Sequence, residues 1–314
     1  GWSCVPTTAR SPAFRPQAAF GFARGWIETR RKVREILAEP IRSRVVALGG
    51  FVAPPVVREA VHRGVPVDLL NLDRVAGRAN QWIAKRADRI LTAVPTDLPT
   101  SQSPTGVPLR RSVLPQGSAE SCRLSLGLHP DRPTLLVTGA SQGAQSIDRF
   151  LLGLIPRHGD WFDGWQVLHL ASEDSVSLLT EEYAVGGIKA VVLPFLDQMG
   201  AAWGGADLAI TRGGASSLAE VAASRTPSIV IPYPWHEDEH QLENAKELER
   251  AGAVVILRDP AKGLAALTAL ESRLAILLRT PDLRAKMQAS FPVMEGDAAS
   301  VVAQMLLHPA ELPS

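Results

Sequence analysis

Residues 211–252 read TRGGASSLAEVAASRTPSIVIPYPWHEDEHQLENAKELERAG, and no other stretch constrains the fold as tightly. Two glycines open a helix, an apolar strand follows around residues 228–231, and Pro232 and Pro234 stop it. Such alternation belongs to an open α/β sheet, which binds ligands in the loops at the carboxyl ends of its strands. Gly213 and Gly214 lack a Cβ, so backbone N–H groups can approach a ligand at a helix mouth that favours anions. Ser216 or Ser217 is expected to cap that helix. Glu220 falls in its first turns, where a carboxylate can accept two hydrogen bonds from a ribose diol. Past the prolines, His240, Gln241 and Asn244 are donors and acceptors suited to sugar hydroxyls.

The same alternation runs through most of the chain. Residues 20–37 have helical periodicity, with Arg24, Arg30, Arg31, Lys32 and Arg34 interspersed among Trp26, Ile27, Val33 and Ile36. Strands are predicted at 44–48, 65–70 and 90–93, and a Pro-, Ser- and Thr-rich linker at 95–115. A second set opens with a strand at 134–138, a tight loop at 139–143 and a helix at 144–154. These patterns predict two doubly wound, Rossmann-like parallel sheets facing a cleft, in domains of residues 1–110 and 111–314. A formal charge of +1 argues against a nucleic-acid surface. Cys4 and Cys122 have neither metal-ligand nor disulfide-framework spacing, which makes a reducing cytoplasm the default. No apolar run reaches transmembrane length and no signal peptide is evident. Asp97, Asp148, Asp197 and Asp207 read as caps at helix starts or in loops. His236 and His240, with Glu237, Asp238 and Glu239 nearby, are poorly spaced for a closed metal site, so no metal is expected.

A second motif, TGASQGA at 138–144, lies between the apolar strand and its helix. Small residues there permit either a plain connection or a loop in which Ser141 and nearby amides meet a diphosphate. Taken together, the two motifs resemble the MurG family of glycosyltransferases, which add N-acetylglucosamine to a lipid-linked muramyl-peptide precursor of peptidoglycan. Thr211, Arg212, Gly214, Ala215, Ser217 and Glu220 fit the family's S/T-R-S/A-G-A-x-T-x-x-E. Pro232 and Pro234 fit V-P-x-P, while Asp238, Gln241, Asn244 and Ala245 fit D-x-x-Q-x-x-N-A. Gly139, Ser141, Gln142, Gly143 and Ala144 fit G-G-S-x-G-A, with Ala140 replacing a glycine.

The resemblance implies a GT-B fold and an inverting transfer from UDP-N-acetylglucosamine to a lipid-linked acceptor, with no cofactor and no metal. It implies that Leu196 lies at uracil, Glu220 at ribose, and Ser141, Gln142, Gly143, Gly214, Ala215 and Ser217 at the diphosphate. His240, which replaces a family glutamine, would read the sugar with Gln241 and Asn244. On the acceptor side, Gly49 and Gly50 match a glycine turn and Asn80 a P-G-x-x-N-R segment. The family's His-Glu-Gln-Asn loop is here Leu70-Asn71-Leu72-Asp73, and its Asn-Pro-Val-Arg aligns with Leu114–Gly117, so that arginine is expected to be lost. The opening strand and Gly-Thr-Gly-Gly-His loop have no counterpart, so the first domain is expected to be incomplete and the catalytic residues stay unassigned. Truncation, a mis-called start and a degenerate paralogue all fit that departure. The basic helix near Arg30 is either a solvated face or a contact with the anionic inner face of the cell membrane. A non-catalytic UDP-sugar-binding paralogue is the alternative function, and a UDP-sugar 2-epimerase shares the architecture.

Overall fold

The computed structural model describes residues 16–38, 44–100, 103–139, 145–235, 238–293 and 296–307. Two compact units divide between Gly106 and Val107, so residues 107–110, expected with the first domain, pack with the second.

The first unit contains α1 (Pro16–Ile36), β1 (Val45–Ala47), α2 (Ala53–His62), β2 (Val67–Asn71), α3 (Arg78–Ala84) and β3 (Arg89–Thr92). Its strands form a parallel sheet in the order β1-β2-β3. Every residue of β2 is buried, as expected of the central strand in a sheet covered by helices. The basic face predicted around Arg30 is largely consumed inside the unit. Glu59, fully buried on α2, receives Arg30 at 2.9 Å, Arg34 at 2.9 Å and Arg63 at 3.3 Å. Arg24 pairs with Glu28 at 2.8 Å, and Arg31 lies 3.9 Å from Glu35. Asp68, equally buried on β2, takes Arg44 at 2.7 Å and Arg89 at 2.6 Å.

The second unit runs through α4 (Ala119–Ser125), β4 (Thr134–Thr138), α5 (Gln145–His158), β5 (Gln166–Leu170), α6 (Val176–Val185) and β6 (Lys189–Leu193). It continues with α7 (Met199–Gly205), β7 (Leu208–Thr211), α8 (Ala215–Ser224), β8 (Ser228–Val230), α9 (His240–Arg250) and β9 (Val254–Ile256). Three further helices close it: α10 (Leu264–Arg279), α11 (Pro281–Ala289) and α12 (Ala298–Leu307). All strand pairs are parallel, in the order β6-β5-β4-β7-β8-β9. Side chains alternate between two apolar layers, as the period of a strand dictates. Leu135, Val137, Val167 and Ile210 face α5, α6 and α10, whereas Leu136, Leu168 and Ala209 face α7, α8 and α9. Chain order reverses direction between β4 and β7, and such a switch point opens a crevice at the carboxyl ends of the strands.

Candidate functional site

A cleft of about 560 Å³ opens at that edge, within the second unit. Thr138 ends β4, Leu170 ends β5 with Ala171 to Glu173 after it, and Pro194 to Leu196 follow β6. Met199 and Trp203 of α7 line it too, as do Ser216, Ser217 and Glu220 of α8. The structure thus brings together Leu196, Ser217 and Glu220, three of the residues singled out from sequence.

Glu220 is held rather than loose. Trp203 Nε1 donates to its Oε2 at 2.7 Å, and Trp203 is itself 2% exposed, so the indole is a fixed anchor. Burial pushes the Glu220 carboxyl above its ordinary range, opposed by the Trp203 hydrogen bond and by the positive charge of Arg110. Among the described residues, no hydrogen-bond donor reaches the other Glu220 carboxylate oxygen.

Arg110 corrects an expectation. The family's Asn-Pro-Val-Arg was aligned with Leu114–Gly117, where no arginine stands, yet the cleft is lined by exposed Arg110. Val107-Pro108-Leu109-Arg110 repeats the Pro-x-Arg spacing inside a segment that reads as a linker. Arg110 directly precedes a 3-10 turn at Arg111–Val113 that carries the chain toward α4.

The start of α8 departs from expectation as well. Gly214 is the N-cap, and no side chain caps it; Ser216 and Ser217 lie inside the helix and line the cleft. An uncapped first turn leaves backbone N–H groups without helical partners beside the cleft, with Ala215 first in line. Gly213, by contrast, is spoken for. Its N–H donates to Gln241 Oε1 at 3.2 Å and its carbonyl accepts from Asn244 Nδ2 at 3.4 Å. A Cβ at Gly213 would sit 2.3 Å from the Gln241 carbonyl oxygen, so close packing of α9 demands glycine here.

Gln241 Oε1 also accepts from Tyr233 N at 2.9 Å, which commits the carbonyl end and leaves the amide nitrogen as the donor end. His240 Nδ1 lies 2.7 Å from Asp238 Oδ1, next to Glu239 in the left-handed region at φ 47°. Both Gln241 and Asn244 therefore fix the α8 turn from behind, and none of the three α9 residues lines the cleft described above. Ser141, Gln142 and Gly143, like His236, lie outside the described residues.

Two polar assemblies at or near the cleft wall carry no local signal in the sequence. Arg212, 6% exposed, donates to Asp259 Oδ2 at 2.7 Å, to Ser146 Oγ at 2.9 Å and to the Ile231 carbonyl at 3.1 Å. Ser146 Oγ also donates to Asp259 Oδ2 at 2.7 Å, so the first turn of α5 and the residue before the Gly213 turn share one carboxylate. The second assembly joins Asp148, His169, Ser172 and Tyr183. Asp148, expected as a cap, is instead buried at 1% exposure and bonded to His169 and Ser172.

In the first unit, Gly49 and Gly50 do turn the chain ahead of α2, at φ +95° and +69°, values that favour glycine. Asn80 is buried beneath that turn and donates to Asn71 Oδ1 at 2.8 Å. A Cβ at Gly49 would meet Asn80 Oδ1 at 2.0 Å, so glycine and asparagine fit as a pair. Asn71 in turn donates to the Asp73 carbonyl at 2.6 Å, which gives the altered Leu70–Asp73 loop an internal brace.

Comparison with known proteins agrees with this geometry. Residues 134–299 match the glycosyltransferase family 28 C-terminal domain. A Sorangium cellulosum protein, UDP-N-acetylglucosamine--N-acetylmuramyl-(pentapeptide) pyrophosphoryl-undecaprenol N-acetylglucosamine transferase, is 36% identical over 303 residues. That match spans 93% of this chain and 72% of the relative. The crystal structure of Acinetobacter baumannii MurG superposes with a TM-score of 0.62 at 24% identity, covering 92% of this chain and 79% of that one. A UDP-GlcNAc 2-epimerase from Neisseria meningitidis, solved bound to UDP-GlcNAc, gives 0.61 at 9% identity, covering 91% and 81%. Both structural likenesses are of fold alone, and it is the sequence matches that name the family. With the family 28 domain covering residues 134–299 of the second unit and transferase relatives matched along most of the chain's length, the chain belongs to the MurG family of glycosyltransferases.

Proposed function

We propose that the chain transfers N-acetylglucosamine from UDP-N-acetylglucosamine to a lipid-linked muramyl-peptide acceptor, with inversion at the anomeric carbon. The observation that carries this reading is the cleft at the β4–β7 switch point, where Glu220, Arg110 and the uncapped α8 turn converge. Glu220 holds the ribose diol and the backbone near Leu196 receives uracil. Arg110, Ser217 and the N–H groups at Gly214 and Ala215 oppose the diphosphate, whose negative charge grows as the glycosidic bond breaks. Ser141, Gln142 and Gly143 complete that loop on the strength of the family motif. On the strength of the family motif, His240, Asn244 and the Gln241 amide nitrogen are assigned to the sugar, beyond the residues that line the cleft. In the first unit, the Gly49-Gly50 turn braced by Asn80 serves the acceptor.

The non-catalytic reading is not favoured, because the relatives matched over most of the chain carry the names of transferases. Among the described residues no helix is long and apolar enough to cross a membrane. Work on a polyprenyl-linked acceptor then calls for peripheral contact at the cytoplasmic face. With Arg30 and Arg34 ion-paired to Glu59, exposed Phe20 and Ile27, one heptad apart on α1, carry more of that contact than the arginines do.

Calorimetric titration with UDP and with UDP-N-acetylglucosamine tests the donor site. Both are expected to bind the wild-type chain, and Glu220→Ala is expected to weaken both by about ten- to a hundredfold. A folded wild-type chain that takes up neither would remove the proposal.

A further inference from the structure

Ser172 stands at the cleft wall just past the end of β5, and its surroundings fix what it can offer. Its Oγ donates to Asp148 Oδ2 at 2.6 Å and its backbone N–H donates to the same oxygen at 3.0 Å. The other carboxylate oxygen, Oδ1, takes His169 Nε2 at 3.2 Å. His169 Nδ1 then lies 3.1 Å from the Tyr183 hydroxyl. His169 and Tyr183 are 0% and 1% exposed, so this chain runs from the core of the sheet to the cleft surface.

The proton positions follow from the donor and acceptor inventory. Asp148 is ionised: burial alone would raise its carboxyl, but hydrogen bonds from His169 and Ser172 outweigh that and hold it below the ordinary range. An ionised carboxylate only accepts, so His169 donates to it through Nε2–H, and the remaining ring nitrogen, Nδ1, is hydrogen-bonded to the Tyr183 hydroxyl. Burial pushes the Tyr183 phenol up, which keeps that hydroxyl protonated. The Ser172 hydrogen is therefore committed inward, and only the oxygen's lone pairs face the cleft.

We infer that Ser172 is a further donor-site residue, an acceptor that takes a polar hydrogen from the nucleoside end of the UDP donor, with Asp148 and His169 as its positioning residues. Two features select the nucleoside over the diphosphate. Lone pairs backed by a buried carboxylate repel phosphate oxygens. The sheet order also sets Ser172 beside the β6 end, with Phe195 and Leu196, and across β4 from the α8 N-terminus that suits anions. The assignment rests on the donor reading above and adds a contact to it.

The test compares UDP and UMP binding by calorimetry in wild type, Ser172→Ala, Ser172→Thr, Asp148→Asn and Asp148→Ala. Removing one neutral hydrogen bond should weaken both nucleotides by about three- to tenfold in Ser172→Ala. Ser172→Thr keeps the hydroxyl and should restore wild-type affinity. Asp148→Asn should bind nearly as wild type, because its amide oxygen still accepts from Ser172 while its nitrogen donates to His169 in the opposite tautomer. Turnover, where measured, should show a raised donor KM at unchanged kcat in Ser172→Ala. The assignment is overturned if Ser172→Ala binds UMP within about twofold of wild type, or loses affinity for UDP alone, which would place the hydroxyl at phosphate. Equally, a folded Asp148→Ala chain, which removes the acceptor, would overturn the orienting role if it kept wild-type UMP affinity. If wild type binds neither nucleotide, the donor reading fails first and this assignment falls with it.

Discussion

The buried and half-buried carboxylates of the two sheets keep different company. Around the three-stranded sheet, Glu59 is enclosed by Arg30, Arg34 and Arg63, and Asp68 by Arg44 and Arg89. Around the six-stranded sheet, Asp148 is held by a histidine and a serine, and Glu220 by an indole. A carboxylate ringed by guanidinia has its charge and its lone pairs matched, so it can only fix architecture. One held by neutral donors keeps charge or an unmatched oxygen to present, and both examples stand at or just behind the cleft wall. The kind of partner, more than burial itself, separates scaffold from site.

Arg212 and Asp259 put that rule under the greatest strain, since they sit behind the donor cleft yet belong by partner type to the scaffold. Their side chains are 7% and 0% exposed, and breaking such a pair leaves a buried charge unmatched. Asp259→Ala is therefore expected to cost about 3–5 kcal/mol of stability, read from urea or thermal unfolding. A loss near zero would mean that cationic partnering says nothing about architecture here.

Glu59 comes next. Its guanidinium partners hold its carboxyl well down, from 4.5 to about 2, with Arg34 the largest contributor. A depressed folded-state value means the stabilisation is fully present above about pH 4.5 and is lost as pH falls toward 2. Glu59→Gln should cost about 2 kcal/mol near neutrality, less than a fully enclosed pair because its arginines reach water. That deficit should vanish on acidification, when the wild-type carboxyl protonates too. A deficit that stays constant with pH would refute the ion-pair account.

Glu220 stands on the other side of the comparison, so its removal should spare the fold and strike the ligand. Glu220→Ala is expected to weaken UDP by about ten- to a hundredfold, the range of a charged hydrogen-bonding group, with little change in unfolding midpoint. Because burial raises its carboxyl, wild-type affinity should begin to fall on acidification at a higher pH than an ordinary glutamate would give. Glu220→Gln, which can still accept from Trp203, should bind with intermediate strength and lose that pH dependence.

How far the sequence discloses these distinctions depends on whether the signal is local. The strand at 134–138 is read in full, because a continuous apolar run followed by small residues has few other meanings. Glu220 and Ser217 are legible because helix spacing alone puts them near the start of α8. The Asp148–His169 contact spans 21 positions, from a helix to a strand, and nothing near Asp148 sets it apart from an ordinary cap. Ser172 is silent for the same reason, as its role exists only through Asp148. Gly213 illustrates the converse: the local pattern suggests ligand approach, whereas the long-range packing of α9 supplies the reason for glycine. In the first unit, the basic spacing on α1 is visible, but the buried glutamate that absorbs Arg30 and Arg34 lies more than twenty residues away.

Arg110 sharpens the comparison at its weakest point. It is exposed, its influence on Glu220 is one of charge alone, and proline-rich sequence disguised it as linker. A cation that served architecture would be paired and shielded, as around Glu59, and its loss would register in stability at any salt. A cation that serves a diphosphate from the rim acts through water and should be screened within about 10 Å at 0.1 M salt. Arg110→Ala is accordingly expected to weaken UDP by only about three- to tenfold at low ionic strength, with unfolding unchanged. Raising the salt toward 1 M should bring wild type and variant together, and Arg110→Lys should recover most of the low-salt loss. UMP, with one phosphate fewer, should lose less than UDP. An equal loss for both nucleotides that persists at high salt would instead assign Arg110 to the nucleoside, and the division of the cleft into a nucleoside end and an anion end would need to be redrawn.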